Sequence, residues 1–146
     1  MGQKIKLHFD WATHDDFSKI ISLETKIFSE SQVSYHDLSE SRKILMARDD
    51  NNLVGYLDYH EVGDEVEILS IAVDPRFQRK GIATRLFKHV ENVNPRLQKI
   101  FLELRKSNET AFSFYKNLGF FVYGERKKYY KGGEDALLMK KDVQPR

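Results

Sequence analysis

A short basic turn with one glycine separates the apolar residues 68–73 from a stretch with helical character, and it reads Gln78-Arg79-Lys80-Gly81-Ile82-Ala83-Thr84. The first N–H groups of a helix have no intrahelical partner and carry partial positive charge, which favours a bound phosphate. Arg79, Lys80 and Arg85 add full positive charges. Gly81 has no Cβ to obstruct a close ligand. The turn therefore predicts a pyrophosphate-binding site; the alternative is a solvated basic turn.

This turn resembles the acyl-CoA signature of the GNAT acetyltransferase superfamily, Gln/Arg-x-x-Gly-x-Gly/Ala, which residues 78–83 match. Two other nucleotide-binding patterns, Gly-x-Gly-x-x-Gly and Gly-x-x-x-x-Gly-Lys-Ser/Thr, do not occur in the sequence. The resemblance implies acetyl-CoA as co-substrate. It also implies that the backbone N–H groups of Ile71, Ala72 and Val73 bind the thioester carbonyl and the pantetheine amides. Asn108 is implied as a further cofactor contact, where two parallel strands diverge.

The second half of the sequence looks like the bacterial ribosomal-protein alanine N-acetyltransferases. Four blocks match in order, namely Leu-Glu-Leu-Arg-Lys-Ser-Asn at 102–108, Ala-Phe-Ser-Phe-Tyr-Lys-Asn-Leu-Gly-Phe at 111–120, Gly-Glu-Arg-Lys-Lys-Tyr-Tyr at 124–130 and Glu-Asp-Ala-Leu-Leu-Met at 134–139. The sequence departs from that family at residues 27–33, where its members carry an aromatic Pro-Trp segment. The same chemistry with a different acceptor preference is therefore expected.

Acetyl transfer to an amine needs a base for the nitrogen proton and an acid for the departing thiolate. The family resemblance implies Glu103 as the base and Tyr115 as the acid. Strand alternation over residues 100–105 puts Glu103 on the face opposite Leu102 and Leu104. The alternatives are a surface glutamate paired with Arg105 and a tyrosine that only packs in the core. A metal is not predicted, because the five histidines show no i, i+4 pair.

Three further residues are predicted at the acceptor side. Tyr129 and Tyr130 match the tyrosine pair that the family places beside its acceptor peptide; the alternatives are an edge strand protected by lysines and a basic, aromatic nucleic-acid surface. Glu67 precedes the cofactor segment on its strand and could bind the acceptor or serve as the base instead of Glu103. Nucleic acid is not expected as a partner.

The elements predicted from periodicity and turn residues follow the order β-α-α-β-β-β-α-β-α-β-β. Strands are predicted at residues 4–9, 44–48, 53–59, 66–73, 100–105, 120–128 and 136–141, and helices at 17–28, 34–42, 82–93 and 108–118. We expect an α/β (α+β) fold of the GNAT type, with a mixed central sheet of six to seven strands flanked by about four helices.

Length and composition set broader limits. The 146 residues carry a net charge of +2 and no cysteine, and we expect one domain over 1–146. No stretch approaches the roughly 20 apolar residues of a membrane span. A cytoplasmic monomer or homodimer that does not bind membranes is expected.

We expect an acetyl-CoA-dependent N-acetyltransferase acting on the N-terminal α-amine of a protein or peptide. One alternative acceptor is a small amine or an aminoglycoside. The alternative outside enzymes is a non-catalytic acyl-CoA-binding module, against which the presence of both Glu103 and Tyr115 argues.

Overall fold

The computed structural model describes residues 6–28 and 41–143. Its seven strands are β1 Leu7–Trp11, β2 Arg42–Asp49, β3 Asn52–Val62, β4 Glu65–Val73, β5 Lys99–Arg105, β6 Phe121–Arg126 and β7 Ala136–Asp142. Its α-helices in the described part are α1 Phe17–Ile27, α2 Ile82–Val93 and α3 Glu109–Asn117. The strands form one mixed sheet in the order β1-β2-β3-β4-β5-β7-β6, in which only β4 and β5 pair in parallel. The predicted fold class is confirmed.

Two predicted elements, the helix over 34–42 and the strand over 120–128, are not matched over their full length by elements in the described part of the chain. The helix predicted over 34–42 lies outside the described residues, apart from its last two positions, and Arg42 there begins β2. The strand predicted over 120–128 ends at Arg126 instead, because Lys128 takes a left-handed conformation with φ +52°. The Lys128 backbone N–H donates to Asp135 Oδ1 at 2.9 Å. Tyr129 and Tyr130 therefore lie in the β6–β7 loop and not on an edge strand.

Each face of the sheet has its own apolar core. Helix α2 buries an amphipathic stripe formed by Ile82, Leu86, Phe87 and Val90, and α3 packs on the same face. Helix α1 covers part of the opposite face and buries Ile20 and Leu23. None of the helices in the described part of the chain has the length and apolar character needed to cross a bilayer.

The sheet opens between β4 and β5. Their pairing stops after Glu65–Lys99, Val66–Ile100 and Glu67–Phe101, although both strands continue. Just past the last pair, β4 contains a β-bulge: Ser70 pairs with Asp58 and Ile68 with Tyr59, which leaves Leu69 as an extra residue. The free edges beyond Glu67 and Phe101 form a gap that connects the two faces of the sheet.

Candidate active site

The glycine turn has the backbone shape of an anion site. Gly81 is the N-cap of α2 with φ +75°, and Arg79 also has a positive φ of +64°. A non-glycine residue in this region is uncommon and strained, and such strain concentrates at functional turns. A Cβ built on Gly81 would meet no atom within 4 Å, so the space in front of the turn is open. The turn therefore fits a phosphate group approaching the α2 N-terminus.

Side chains fix the position of this turn. Gln78 Nε2 donates to the Val73 carbonyl at 3.2 Å, so the predicted cofactor contact Gln78 also joins the turn to β4. At the start of the turn, Asp74 accepts bonds from Arg76 at 2.9 and 3.1 Å, and these hold the pKa of Asp74 below its ordinary value. Lys80 is exposed, whereas the Arg85 guanidinium lies 5.1 Å from the ring centre of Phe9.

The predicted β4 donors border the gap. Ile71, Ala72 and Val73 pair with β3, and their N–H groups alternate in direction along the strand. Because the Asp74 N–H donates to the Val54 carbonyl at 2.8 Å, the N–H of Ala72 also faces β3, whereas those of Ile71 and Val73 face the side that has no strand partner in the part of the chain described. At Gly55 on β3, a Cβ would lie 3.1 Å from the Ala72 carbonyl oxygen and 3.4 Å from Ile82, so only glycine allows this close packing. Ala83 and Thr84 follow in the first turn of α2.

Glu103 projects from β5 beside the β6–β7 loop. Arg126 Nε lies 3.4 Å from Glu103 Oε1, and a hydrogen bond to Glu103 together with its charge raises the pKa of Tyr129. Arg105 pairs instead with Glu134 at 3.3 Å, and its guanidinium lies 4.3 Å from the ring centre of Tyr130. Glu103 is thus in an ion pair, as the structural alternative expected, but with Arg126 in place of Arg105, and its role as the base stays a prediction.

A cleft of about 340 Å³ opens on the Glu103 face of the sheet. It is lined by His60, Val62, Glu65, Val66, Glu67, Phe101, Leu102, Glu103, Tyr123 and Arg126. Burial raises the pKa of Tyr123, and the charges of Glu103 and Glu67 contribute in the same direction. The cleft therefore combines negative charge with aromatic surface, which suits a cationic amine attached to a larger group.

Tyr115 lies on the other face of the sheet. Its ring packs edge-to-face on Phe87, Phe114 and Phe120, and the residue is 8% exposed. Burial raises the pKa of Tyr115 to about 12. The structure thus places the predicted acid in the core on the α2 face of the sheet and the predicted base on the opposite face.

Asn108 has a structural contact of its own. It is the N-cap of α3, and its Oδ1 accepts from the Ala111 N–H at 3.1 Å. Contact between the side-chain NH2 group of Asn108 and the cofactor stays a prediction.

The sequence did not single out Tyr123, Arg126 or the bulge at Leu69 as parts of the site. Tyr123 is the extra residue of a second bulge, between Val122 and Gly124, which turns it toward the cleft. Of these three features, only Arg126 has a signal in the sequence, because it belongs to the Arg-x-x-Tyr-Tyr block. A larger cavity of about 800 Å³ lies elsewhere, beside Trp11 and Lys43, and contains no predicted site residue.

Comparison with known proteins agrees with this geometry. Residues 9–120 match the family described as "Acetyltransferase (GNAT) family". The N-alpha-acetyltransferase RimI of Mycobacterium tuberculosis is 36% identical over 101 residues, which cover 66% of this chain and 63% of that protein. The ribosomal protein bS18-alanine N-acetyltransferase of Salmonella typhimurium is 36% identical over 95 residues, 62% of this chain and 64% of that protein. The match thus spans slightly less than two thirds of either relative.

Solved structures share the fold. The ribosomal-protein-S18-alanine N-acetyltransferase from Escherichia coli superposes with a TM-score of 0.85 at 23% identity, covering 97% of this chain and 96% of that one. The chain belongs to the acetyltransferase (GNAT) family.

Proposed function

We propose that this protein transfers the acetyl group of acetyl-CoA to the N-terminal α-amine of a protein or peptide. The observation that carries the proposal is the gap between β4 and β5. On one face it is bordered by the glycine turn and the α2 N-terminus, and on the other by the cleft containing Glu103. A thioester lying in the gap would meet the donor-binding turn and an acceptor amine from opposite sides.

The residues have distinct roles in this reaction. The glycine turn, from Gln78 to Thr84, holds the pyrophosphate, and the free β4 N–H groups polarise the thioester carbonyl. Glu103 accepts a proton from the amine nitrogen, directly or through a water, as that nitrogen forms its bond to the carbonyl carbon. The carbon–sulfur bond then breaks, and Tyr115 donates its proton to the leaving sulfur. The raised pKa means that Tyr115 is protonated at neutral pH but is a weaker acid than an ordinary tyrosine, so it gives up its proton only as negative charge develops on the sulfur.

The proposed acceptor is chemically easier than lysine. A peptide α-amine has a pKa of about 7.7–8.0, so roughly a tenth or more is neutral near pH 7, whereas lysine at about 10.4 is almost fully protonated. A base as ordinary as a glutamate therefore suffices for an α-amine. Tyr129 and Tyr130, held beside Glu103 by the loop, would contact the residues after the amine, and Glu67 would contact the amine or its neighbour. The names of the two curated relatives support this acceptor class.

A panel of acceptors tests the proposal. Purified protein is incubated with acetyl-CoA and peptides that have a free N-terminus, and thiol release and product mass are measured. Each peptide is matched by the same sequence with a blocked N-terminus and a free lysine, and a polyamine and an aminoglycoside complete the panel. We expect turnover on the free N-termini alone. Preferred turnover of the small amines would favour the alternative acceptor, and tight CoA binding without turnover on any amine would favour a non-catalytic module. We also propose that the protein acts in the cytoplasm.

A further inference from the structure

A buried polar cluster lies beneath α1, on the same face of the sheet as Glu103, and none of the proposed catalytic steps uses it. Arg42 donates two hydrogen bonds to the carboxylate of Asp58, at 3.1 and 2.9 Å, and Asp58 is 0% exposed. Glu24 of α1, equally buried, lies near enough for its charge to act on Asp58. Tyr56 lies two residues before Asp58 on β3, and its hydroxyl is 2.9 Å from Ser70 Oγ on β4. A buried ion pair is weak evidence for stability, so the cluster calls for another explanation.

The cluster adjoins the bulge in β4. Asp58 is the cross-strand partner of Ser70, and the next pair, Tyr59 with Ile68, skips Leu69. Residues two apart on a regular strand share a face. Here they do not, because Ile68 belongs to the core under α2 while Ser70 faces the core under α1, where it meets Tyr56. The bulge therefore switches the faces of all later β4 residues.

The polar residues disfavour the register without a bulge. Continued from the Tyr59–Ile68 pair, a regular ladder would put Leu69 opposite Asp58 and Ser70 opposite Leu57. Leu69 would then lie against the ion pair of Asp58. The Ser70 hydroxyl would enter the apolar core that contains Leu57 and would lose Tyr56 as a partner. The second change leaves the buried Ser70 hydroxyl without its hydrogen bond to Tyr56, which is costly, and the first places an apolar side chain against a buried ion pair.

We infer that Tyr56, Asp58 and Ser70 are positioning residues that fix the bulge at Leu69 and thereby aim the free β4 N–H groups into the gap. The inference rests on the proposed function, in which those N–H groups polarise the thioester carbonyl. Donors of this kind act only when they are aligned with the position where negative charge develops. A displacement of about 1 Å is enough to cost on the order of 10²-fold in rate. None of the three residues is among the proposed contacts of acetyl-CoA or of the acceptor, so their loss should affect kcat and leave binding unchanged.

Two tyrosines on β3 provide a matched pair of variants. Tyr56 and Tyr59 are both fully buried, but the Tyr59 hydroxyl has no hydrogen-bond partner in the part of the chain described. Tyr56→Phe and Ser70→Ala should each lower kcat by about tenfold or more, with acceptor KM and CoA Kd changed by less than about twofold. Tyr59→Phe should keep normal kcat. Ser70→Thr, which retains a hydroxyl, should recover most of the rate. The double variant Tyr56→Phe/Ser70→Ala should have a kcat no lower than that of the slower single variant, because both substitutions remove the same hydrogen bond.

Deleting Leu69 removes the bulge, and with it the local bend and extra twist that aim the end of β4 into the gap, while Ile68 and Ser70 keep their faces and partners. We expect a folded protein with a kcat at least as low as that of Ser70→Ala. Normal kcat in the deletion variant, or in both Tyr56→Phe and Ser70→Ala, would overturn the inference, as would an equal loss in Tyr59→Phe. If the deletion variant does not fold, the substitutions decide the matter.

Hydrogen exchange separates this inference from the proposed function, because it needs no activity. The amides of residues 69–71 should exchange faster in Ser70→Ala than in Tyr59→Phe, because loss of the hydroxyl releases the bulge. Equal protection in the two variants would refute the positioning role. A wild-type protein that acetylates no amine would refute the function and leave this measurement valid.

Discussion

Replacing Tyr115 with phenylalanine separates catalysis from packing, because only the hydroxyl is lost. The ring contacts with Phe87, Phe114 and Phe120 are retained, and the residue is almost fully buried. The hydroxyl makes no hydrogen bond within the described residues, so the folded protein loses no partner interaction. We therefore expect the free energy of unfolding of Tyr115→Phe to stay within about 1 kcal/mol of that of the wild type.

The rate of acetyl transfer by Tyr115→Phe, unlike its stability, should fall. A general acid contributes about 10²–10⁴-fold, equivalent to a barrier change of roughly 3–5 kcal/mol. The pKa of about 12 is two units above the ordinary value of 10.0, which corresponds to roughly 3 kcal/mol of preference for the protonated form. Tyr115 therefore remains protonated throughout the neutral range. The loss of kcat in Tyr115→Phe should shrink with an acyl donor whose thiol is more acidic, because such a leaving group needs less protonation.

The same pKa predicts a change in alkaline stability. A raised pKa in the folded state stabilises the protein below pH 10, where the unfolded tyrosine is still protonated, and this contribution disappears as the pH rises toward 12. Tyr115→Phe lacks a titrating hydroxyl, so its free energy of unfolding should fall less than that of the wild type over this range. Tyr59→Phe is the control for rate, because Tyr59 is another buried tyrosine without a hydroxyl partner in the described chain.

Stopped-flow thiol release and thermal unfolding of the three proteins provide the assay. A Tyr115→Phe protein with near-normal turnover of acetyl-CoA would return Tyr115 to a packing role and leave solvent as the acid. A lower Tm together with a lower kcat would also contradict the argument, because the defect would then be structural.

Other variants test the remaining roles. Gly81→Ala should raise the Kd of CoA by about tenfold or more in calorimetry, because the new Cβ points into the open space before the turn; Gly63→Ala, at φ +62° and equally open, controls for backbone strain and should bind CoA normally. Glu103→Gln should lower kcat/KM by about 10²–10⁴-fold with unchanged CoA affinity, and a larger loss in Glu67→Gln would transfer the role of base to β4. Tyr129→Phe should raise the acceptor KM about threefold or more without affecting the Kd of CoA, and the reverse pattern would exclude it as an acceptor contact.

Much of the fold could be predicted because its signals are local. Alternation over β5 placed Ile100, Leu102 and Leu104 on the buried face, and the structure shows all three in the core under α2 and α3. The glycine turn announced the start of α2 to within a residue. The course of the β6–β7 loop could not be predicted from the sequence. It depends on the positive φ of Lys128, and a lysine does not indicate such a conformation.

The bulges lay beyond local reasoning. Residues 66–73 of β4 have the composition of an uninterrupted strand, and the extra residue at Leu69 becomes visible only from the pairing of β4 with β3. The residues that we propose fix this bulge include Tyr56 and Asp58 on β3, both more than 10 residues away from Leu69 in sequence. Tyr123 entered the site for the same reason, through a bulge in β6 that its neighbours do not encode.

The arrangement of the two candidate catalytic groups gives the gap its importance. Glu103 and Tyr115 belong to opposite faces of the sheet, and within a continuous sheet no single substrate could touch both. Because β4 and β5 stop pairing after Glu67 and Phe101, the gap leaves room for the proposed arrangement, in which the thioester carbon lies toward Glu103 and the sulfur toward Tyr115. Attack and departure at a carbonyl carbon occur from different directions, so a base and an acid on opposite faces suit this reaction better than two groups on one face. In the proposed reaction, the unpaired ends of β4 and β5 thus determine which residues can reach the thioester, and the side chains of those residues determine whether they act as base or as acid.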